Sequence, residues 1–126
     1  MDLDHLAAIA NAMVADNKGL LAADESTGTI GKRLDSISVK STEDTRRDYR
    51  EMLFRADGLG EYISGVILYD ETIRQNAADG TSFTRILEEK GILPGIKVDT
   101  GAKALAGAED EKVTEGLDGL RDRVAD

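Results

Sequence analysis

The stretch Gly19–Arg33, GLLAADESTGTIGKR, holds the reading of the whole chain. It opens on a short apolar run, LLAAD (20–24), with the length and character of a strand. Two adjacent acids follow, Asp24 and Glu25, then the hydroxyls of Ser26, Thr27 and Thr29, and a Lys32–Arg33 pair closes it. A core strand has no need of acids, hydroxyls and cations within ten residues of its end. A site for a polyhydroxylated, anionic small molecule needs all three. The segment ESTGTIGKR reads as a loop or short helix leaving the strand.

Working outward, two further strands are expected, GVILYD (65–70) and GIKVD (95–99). Between and around them the apolar spacing predicts helices. Leu6, Ile9, Ala10 and Met13 mark one over residues 4–16, stopped by Asn17 to Gly19. Ser41, three residues before Asp44, reads as a capping box ahead of a helix whose stripe is Tyr49, Met52, Leu53 and Ala56. Phe83, Ile86 and Leu87 mark another, after which KGILPG is a break. Residues 100–112, TGAKALAGAEDEK, read as a solvated acidic loop, with Thr114 capping a last helix that carries Leu117, Leu120 and Val124. Strands alternating with helices give an α/β class with parallel strands and crossover helices, in one unit, 1–126.

Each expected strand stops on an aspartate: Asp24, Asp70 and Asp99. In parallel α/β folds the site lies at the carboxyl ends of the strands. For Asp70 the plainer role, starting the next turn or helix, is preferred. In GIKVD, period-two alternation puts Lys97 and Asp99 on one face and Ile96 and Val98 on the other. A lysine within a short apolar strand is costly to bury unless it is paired or works on a ligand. Asp24 shares a face with Ala22 and Leu20, so Lys97 and Asp24 are expected to point into a common interior. An exposed edge-strand lysine is the alternative, and pattern alone leaves it open.

GTIGKR is not a phosphate-binding P-loop. Only two residues separate Gly28 from Gly31, and Arg33 rather than Ser or Thr follows Lys32. Lys32 and Arg33 remain candidates to meet a phosphate, Arg33 in bidentate fashion, with an exposed basic turn as the alternative. The chain shows no dinucleotide fingerprint, EF-hand loop or zinc ligand set.

With 16 basic and 25 acidic residues the net charge is −9, which argues against a general nucleic-acid binder or a binder of anionic membranes. There is no cysteine, hence no disulfide frame and no thiolate chemistry. His5 reads as a solvated helix residue. No apolar run reaches the ~18 residues of a membrane span. The opening MDLDHLAAIA lacks the basic flank of a secretory signal, so a cytoplasmic location is expected.

GLLAADESTGTIGKR, TEDTRRDYREMLF, ISGVILYDET and GIKVDTG, in this order, with EGLDGL near the end, closely resemble the amino-terminal third of class I fructose-bisphosphate aldolases. The resemblance implies part of a (β/α)8 barrel of the TIM type, and about three of its strands. It implies reversible cleavage of fructose 1,6-bisphosphate to dihydroxyacetone phosphate and glyceraldehyde 3-phosphate, in glycolysis, through an imine with a lysine and without a metal or other cofactor. By position, Asp24 matches an aspartate that handles protons at the substrate hydroxyls. Glu25, Ser26 and Thr29 match loop residues that border the bound sugar. Arg33 matches a phosphate contact, with Lys32 beside it, and Arg46 matches a second arginine linked to phosphate. Lys97 matches an active-site lysine that sets the electrostatics around Asp24, with Asp99 its neighbour. VDTG stands where relatives often read VDKG, so one cation near the rim is missing.

The matching imine lysine falls beyond Asp126, so the isolated chain is expected to be inactive, as a piece of a longer enzyme. The alternative is a short non-catalytic α/β binding module that keeps the first third of the fold. The chain ends in helical register with no stop signal, which favours the piece. Relatives in the family are tetramers, and Asp118 in EGLDGL is a candidate subunit contact.

Overall fold

The computed structural model describes residues 2–125. The chain forms two compact units, one running to Ile96 and the other starting at Lys97.

The first unit is built on three parallel strands in the order β1-β2-β3. These are β1 (Gly19–Ala23), β2 (Ile63–Leu68) and β3 (Leu93–Ile96). Leu21 pairs in register with Val66 and Ala23 with Leu68, while Leu68 is level with Ile96. The three strands therefore end together. Around them run α1 (Leu3–Met13), α2 (Thr27–Ser36), α3 (Glu43–Phe54), the single turns α4 (Leu59–Tyr62) and α5 (Asp70–Ile73), and α6 (Phe83–Glu89).

The core lies on one side of the sheet. Ala23, Val66 and Leu68 pack with Phe54 of α3 and Phe83, Ile86 and Leu87 of α6, joined by Ala77 and Ile92. Phe54 and Phe83 meet edge to face, with centroids 5.2 Å apart and planes at 81°. The register puts Leu20, Ala22, Gly65 and Ile67 on the other side. There Leu20 lies over Gly65, so close that a Cβ would stand 2.9 Å from Leu20 Cδ2. At the opposite end of the strands the Ser64 hydroxyl donates to the Met13 carbonyl (2.6 Å) and meets the Gly19 carbonyl at 3.2 Å, tying the end of α1 to the start of β1.

The second unit holds an antiparallel hairpin, β4 (Gly101–Ala104) with β5 (Lys112–Glu115), and α7 (Leu120–Ala125). Among the described residues no helix is long and apolar enough to cross a membrane.

Several expectations from the sequence need correction. The third strand is Leu93–Ile96 and stops before Lys97, so the period-two argument over 95–99 does not apply to Lys97 and Asp99. Asp24 follows β1 rather than ending it, and Asp70 is the first residue of α5, two residues past β2. The 100–112 segment is no simple loop, since it carries β4, and Thr114 belongs to β5 instead of capping a helix. In α3 the cap is Thr42, not Ser41: its hydroxyl accepts from the Thr45 N–H (3.2 Å) while the Thr45 hydroxyl accepts from the Thr42 N–H (2.9 Å). The buried side chains of α3 are Arg50 and Phe54, whereas Met52 is 62% exposed.

Candidate active site

Once β1 ends, Asp24 and Glu25 lead directly into α2. Ser26 caps that ten-residue helix, its hydroxyl accepting from the Thr29 N–H at 3.4 Å and standing 3.2 Å from the Thr29 hydroxyl. Ser26, Thr29 and the acids thus lie at one helix start, where exposed N–H groups favour negative charge. Ile30 and Leu34 are the buried residues of α2. Lys32 is exposed beside them.

Glu25 is the hub of this end. Its side chain is 8% exposed, and each carboxylate oxygen meets a different arginine. Oε1 pairs with Arg33 Nη1. Oε2 lies 2.9 Å from Arg50 Nη2, an ion-pair contact rather than an aligned hydrogen bond, since Oε2 has no hydrogen-bond donor. Arg50 instead donates from Nε to the Ala23 carbonyl (3.2 Å) and from Nη2 to the Glu25 carbonyl (3.0 Å). These are the carbonyls of the residues on either side of Asp24, so the buried guanidinium fixes the backbone that presents it.

Arg33 reaches the Tyr49 hydroxyl at 3.5 Å, the outer limit of a hydrogen bond. Tyr49 and Glu25 hold the Arg33 pKa above its ordinary value. Burial pulls the Arg50 pKa down, opposed by Glu25. Arg33 keeps a side chain 56% exposed, so its guanidinium is open to a ligand as well as to Glu25.

Arg46 is committed elsewhere. Its Nε and Nη2 donate to the two carboxylate oxygens of Glu71 at 2.8 and 2.5 Å, and Nη1 reaches the Ser41 hydroxyl at 3.4 Å. The hydrogen bond from Arg46 holds the Glu71 carboxyl below its ordinary value. The sequence reading gave Arg50 and Glu71 no role, and took Tyr49 for part of an apolar stripe rather than a partner of Arg33. Arg50, in the charged run TRRDYR, was assigned no role. Its position four residues before Phe54, on the buried face, was the available signal.

In the second unit Lys97 Nζ donates to Asp99 Oδ2 at 2.5 Å, and the Gly101 N–H donates to Asp99 Oδ1 at 3.0 Å. The lysine hydrogen bond is the main reason the Asp99 carboxyl stays below its ordinary value. Lys97 is thus a paired cation, its side chain 24% exposed. Arg123 of α7 donates to the Val98 and Gly116 carbonyls at 3.2 and 2.6 Å, closing the loop that carries Lys97. Asp118 is exposed. Among the described residues no group of three or more His, Cys, Asp or Glu could hold a metal ion.

Comparisons agree with the resemblance seen in the sequence. A fructose-bisphosphate aldolase of Drosophila melanogaster is 57% identical over 123 residues, covering 97% of this chain and 34% of its own length. Fructose-bisphosphate aldolase 1 of Caenorhabditis elegans is 54% identical over 123 residues, with the same coverage of 97% and 34%. The fructose-bisphosphate aldolase of Plasmodium falciparum, solved with TRAP and a small-molecule inhibitor, superposes with a TM-score of 0.91 at 46% identity, over 95% of this chain and 35% of that one. The chain therefore spans about a third of the length of the curated relatives it matches. The family model for glycolytic class-I fructose-bisphosphate aldolase matches residues 5–126, and the chain belongs to that family.

Proposed function

We propose that this chain forms the amino-terminal part of a Schiff-base aldolase barrel, the domain being incomplete within 1–126. The parent cleaves fructose 1,6-bisphosphate reversibly to dihydroxyacetone phosphate and glyceraldehyde 3-phosphate, as a glycolytic, cytoplasmic homotetramer. The observation that carries this is the mouth of β1. Asp24 stands there between two carbonyls clamped by Arg50, next to the Ser26–Thr29 hydroxyls and the exposed Arg33.

In this reading Asp24 moves protons at the sugar hydroxyls. Proton transfer of that kind needs a carboxylate held in place, which the clamp on its backbone supports. Glu25, Ser26 and Thr29 border the sugar, and Arg33, with Lys32, meets a phosphate. Arg46 would meet a phosphate only by releasing Glu71, which takes two of its donors. Lys97 serves the same reaction as a cation, and its pairing with Asp99 supports a charged, oriented ammonium. Asp118, being exposed, is available for a subunit contact.

The imine nucleophile is assigned to a part of the enzyme outside this chain. The 126-residue chain should therefore show no cleavage in a coupled assay. It should also trap no substrate on borohydride reduction. Titration with fructose 1,6-bisphosphate should nevertheless perturb the NMR signals of Asp24, Ser26, Thr29 and Arg33. A reduced substrate adduct on this chain, or binding that leaves those four signals unmoved, would overturn the reading.

A further inference from the structure

Among the described residues Arg50 is the one charged side chain that is fully buried, at 2% exposure. Three oxygens surround its guanidinium: the Ala23 and Glu25 carbonyls, which accept hydrogen bonds, and Glu25 Oε2, an ion-pair contact. The Glu25 carboxylate is thus shared between two unequal cations. Arg50 is buried and held by three partners. Arg33 is 56% exposed and holds only Oε1 of the pair.

That inequality has a chemical consequence. A buried carboxylate left without a cation is strongly disfavoured. If Arg33 were the sole partner of Glu25, it could not leave for a ligand without stranding that charge. With Arg50 fixed on the other oxygen, Glu25 stays compensated whichever way Arg33 turns. We propose that Arg50 is a positioning residue that keeps Glu25 compensated, so that the Arg33 guanidinium can exchange the Glu25 carboxylate for the phosphate of an incoming sugar phosphate. The proposal rests on Arg33 being a phosphate contact.

Inorganic phosphate titrated into the 126-residue chain and followed by NMR tests it. Glu25→Gln removes the competing anion at nearly the same volume, and should tighten phosphate binding about threefold, the scale of one exposed ion pair. Arg50→Lys keeps a charge but cannot hold both carbonyls and also face Glu25 Oε2, and should weaken binding by a similar factor. In the Glu25→Gln background the same Arg50→Lys change should cost nothing further. Equal weakening in both backgrounds means a merely structural role and overturns the proposal. If Arg50→Lys fails to fold, Glu25→Gln decides alone: unchanged or weaker phosphate binding overturns it. Absence of phosphate binding by the parent chain counts against Arg33 as the phosphate contact. Arg50 is then judged without ligand, from the order parameter of the Arg33 Nε–H group. A rise in Arg50→Lys shows Arg33 captured by Glu25 and supports the assignment. No change overturns it.

Discussion

Gly60 in α4 lies against the carbonyl oxygen of Lys90, the residue that caps α6, with no room for a Cβ between them. The same approach lets Lys90 Nζ donate to the Ala56 carbonyl (2.9 Å), and Lys18 Nζ donates to the Gly60 carbonyl (2.6 Å). Because the obstacle is backbone, Gly60→Ala must push the end of α6 away. It should cost about 1–3 kcal/mol, the range of an overpacked core position, read as a lower urea midpoint with unchanged slope. A variant as stable as the parent would show that α6 can shift freely.

The Arg46–Glu71 pair makes stability depend on acid. Arg46 lowers the Glu71 carboxyl below its ordinary 4.5. A carboxyl depressed on folding stabilises fully above that ordinary value, and the gain is lost as pH falls through the lower folded value. The urea midpoint of the parent should thus fall as acid is added below pH about 4.5. Glu71→Gln should start lower at neutral pH and fall less steeply over that window. Parallel curves would mean the pair is not linked to folding.

Gly116 follows β5 with φ +146, and a Cβ there would stand 2.7 Å from the Val98 carbonyl oxygen and 2.8 Å from Asp99 Cα. Its own carbonyl accepts from Arg123. Gly116→Ala should loosen the second unit selectively, through both backbone strain and collision. Amide exchange should quicken at Thr100 and Gly101, whose N–H groups are bonded to Glu115 O and Asp99 Oδ1, while Leu68 keeps its protection. Uniform exchange rates in parent and variant would refute this.

Where apolar residues and surroundings agreed, the sequence was readable. Ala23, Val66, Leu68, Phe83, Ile86 and Leu87 all lie in segments the pattern had marked, and all are buried. The third strand was displaced because Pro94 read as a break. It sits in β3, an outer strand, where a missing N–H need not interrupt a ladder on the free side. The β4–β5 hairpin escaped because it is nearly all exposed and carries no inside-outside alternation. Arg50 escaped for the opposite reason. Hydropathy counts it as polar, while backbone carbonyls and Glu25 satisfy it inside. At the candidate site the residue types were legible in GLLAADESTGTIGKR, but their pairing was not, since Glu25 meets one arginine eight residues away and another twenty-five away.

The two faces of the β1–β2 ribbon are unlike. Val66 and Leu68 are sealed among aromatic and aliphatic neighbours, whereas Leu20, on the reverse, is 49% exposed and Ala22 is open to water. Apolar surface that is already wet contributes nothing new when the chain melts. The heat-capacity increment of this polypeptide should therefore fall short of the roughly 12–15 cal/mol/K per residue typical of globular proteins. Its stability curve should be correspondingly broad and shallow, with only a gentle penalty on cooling.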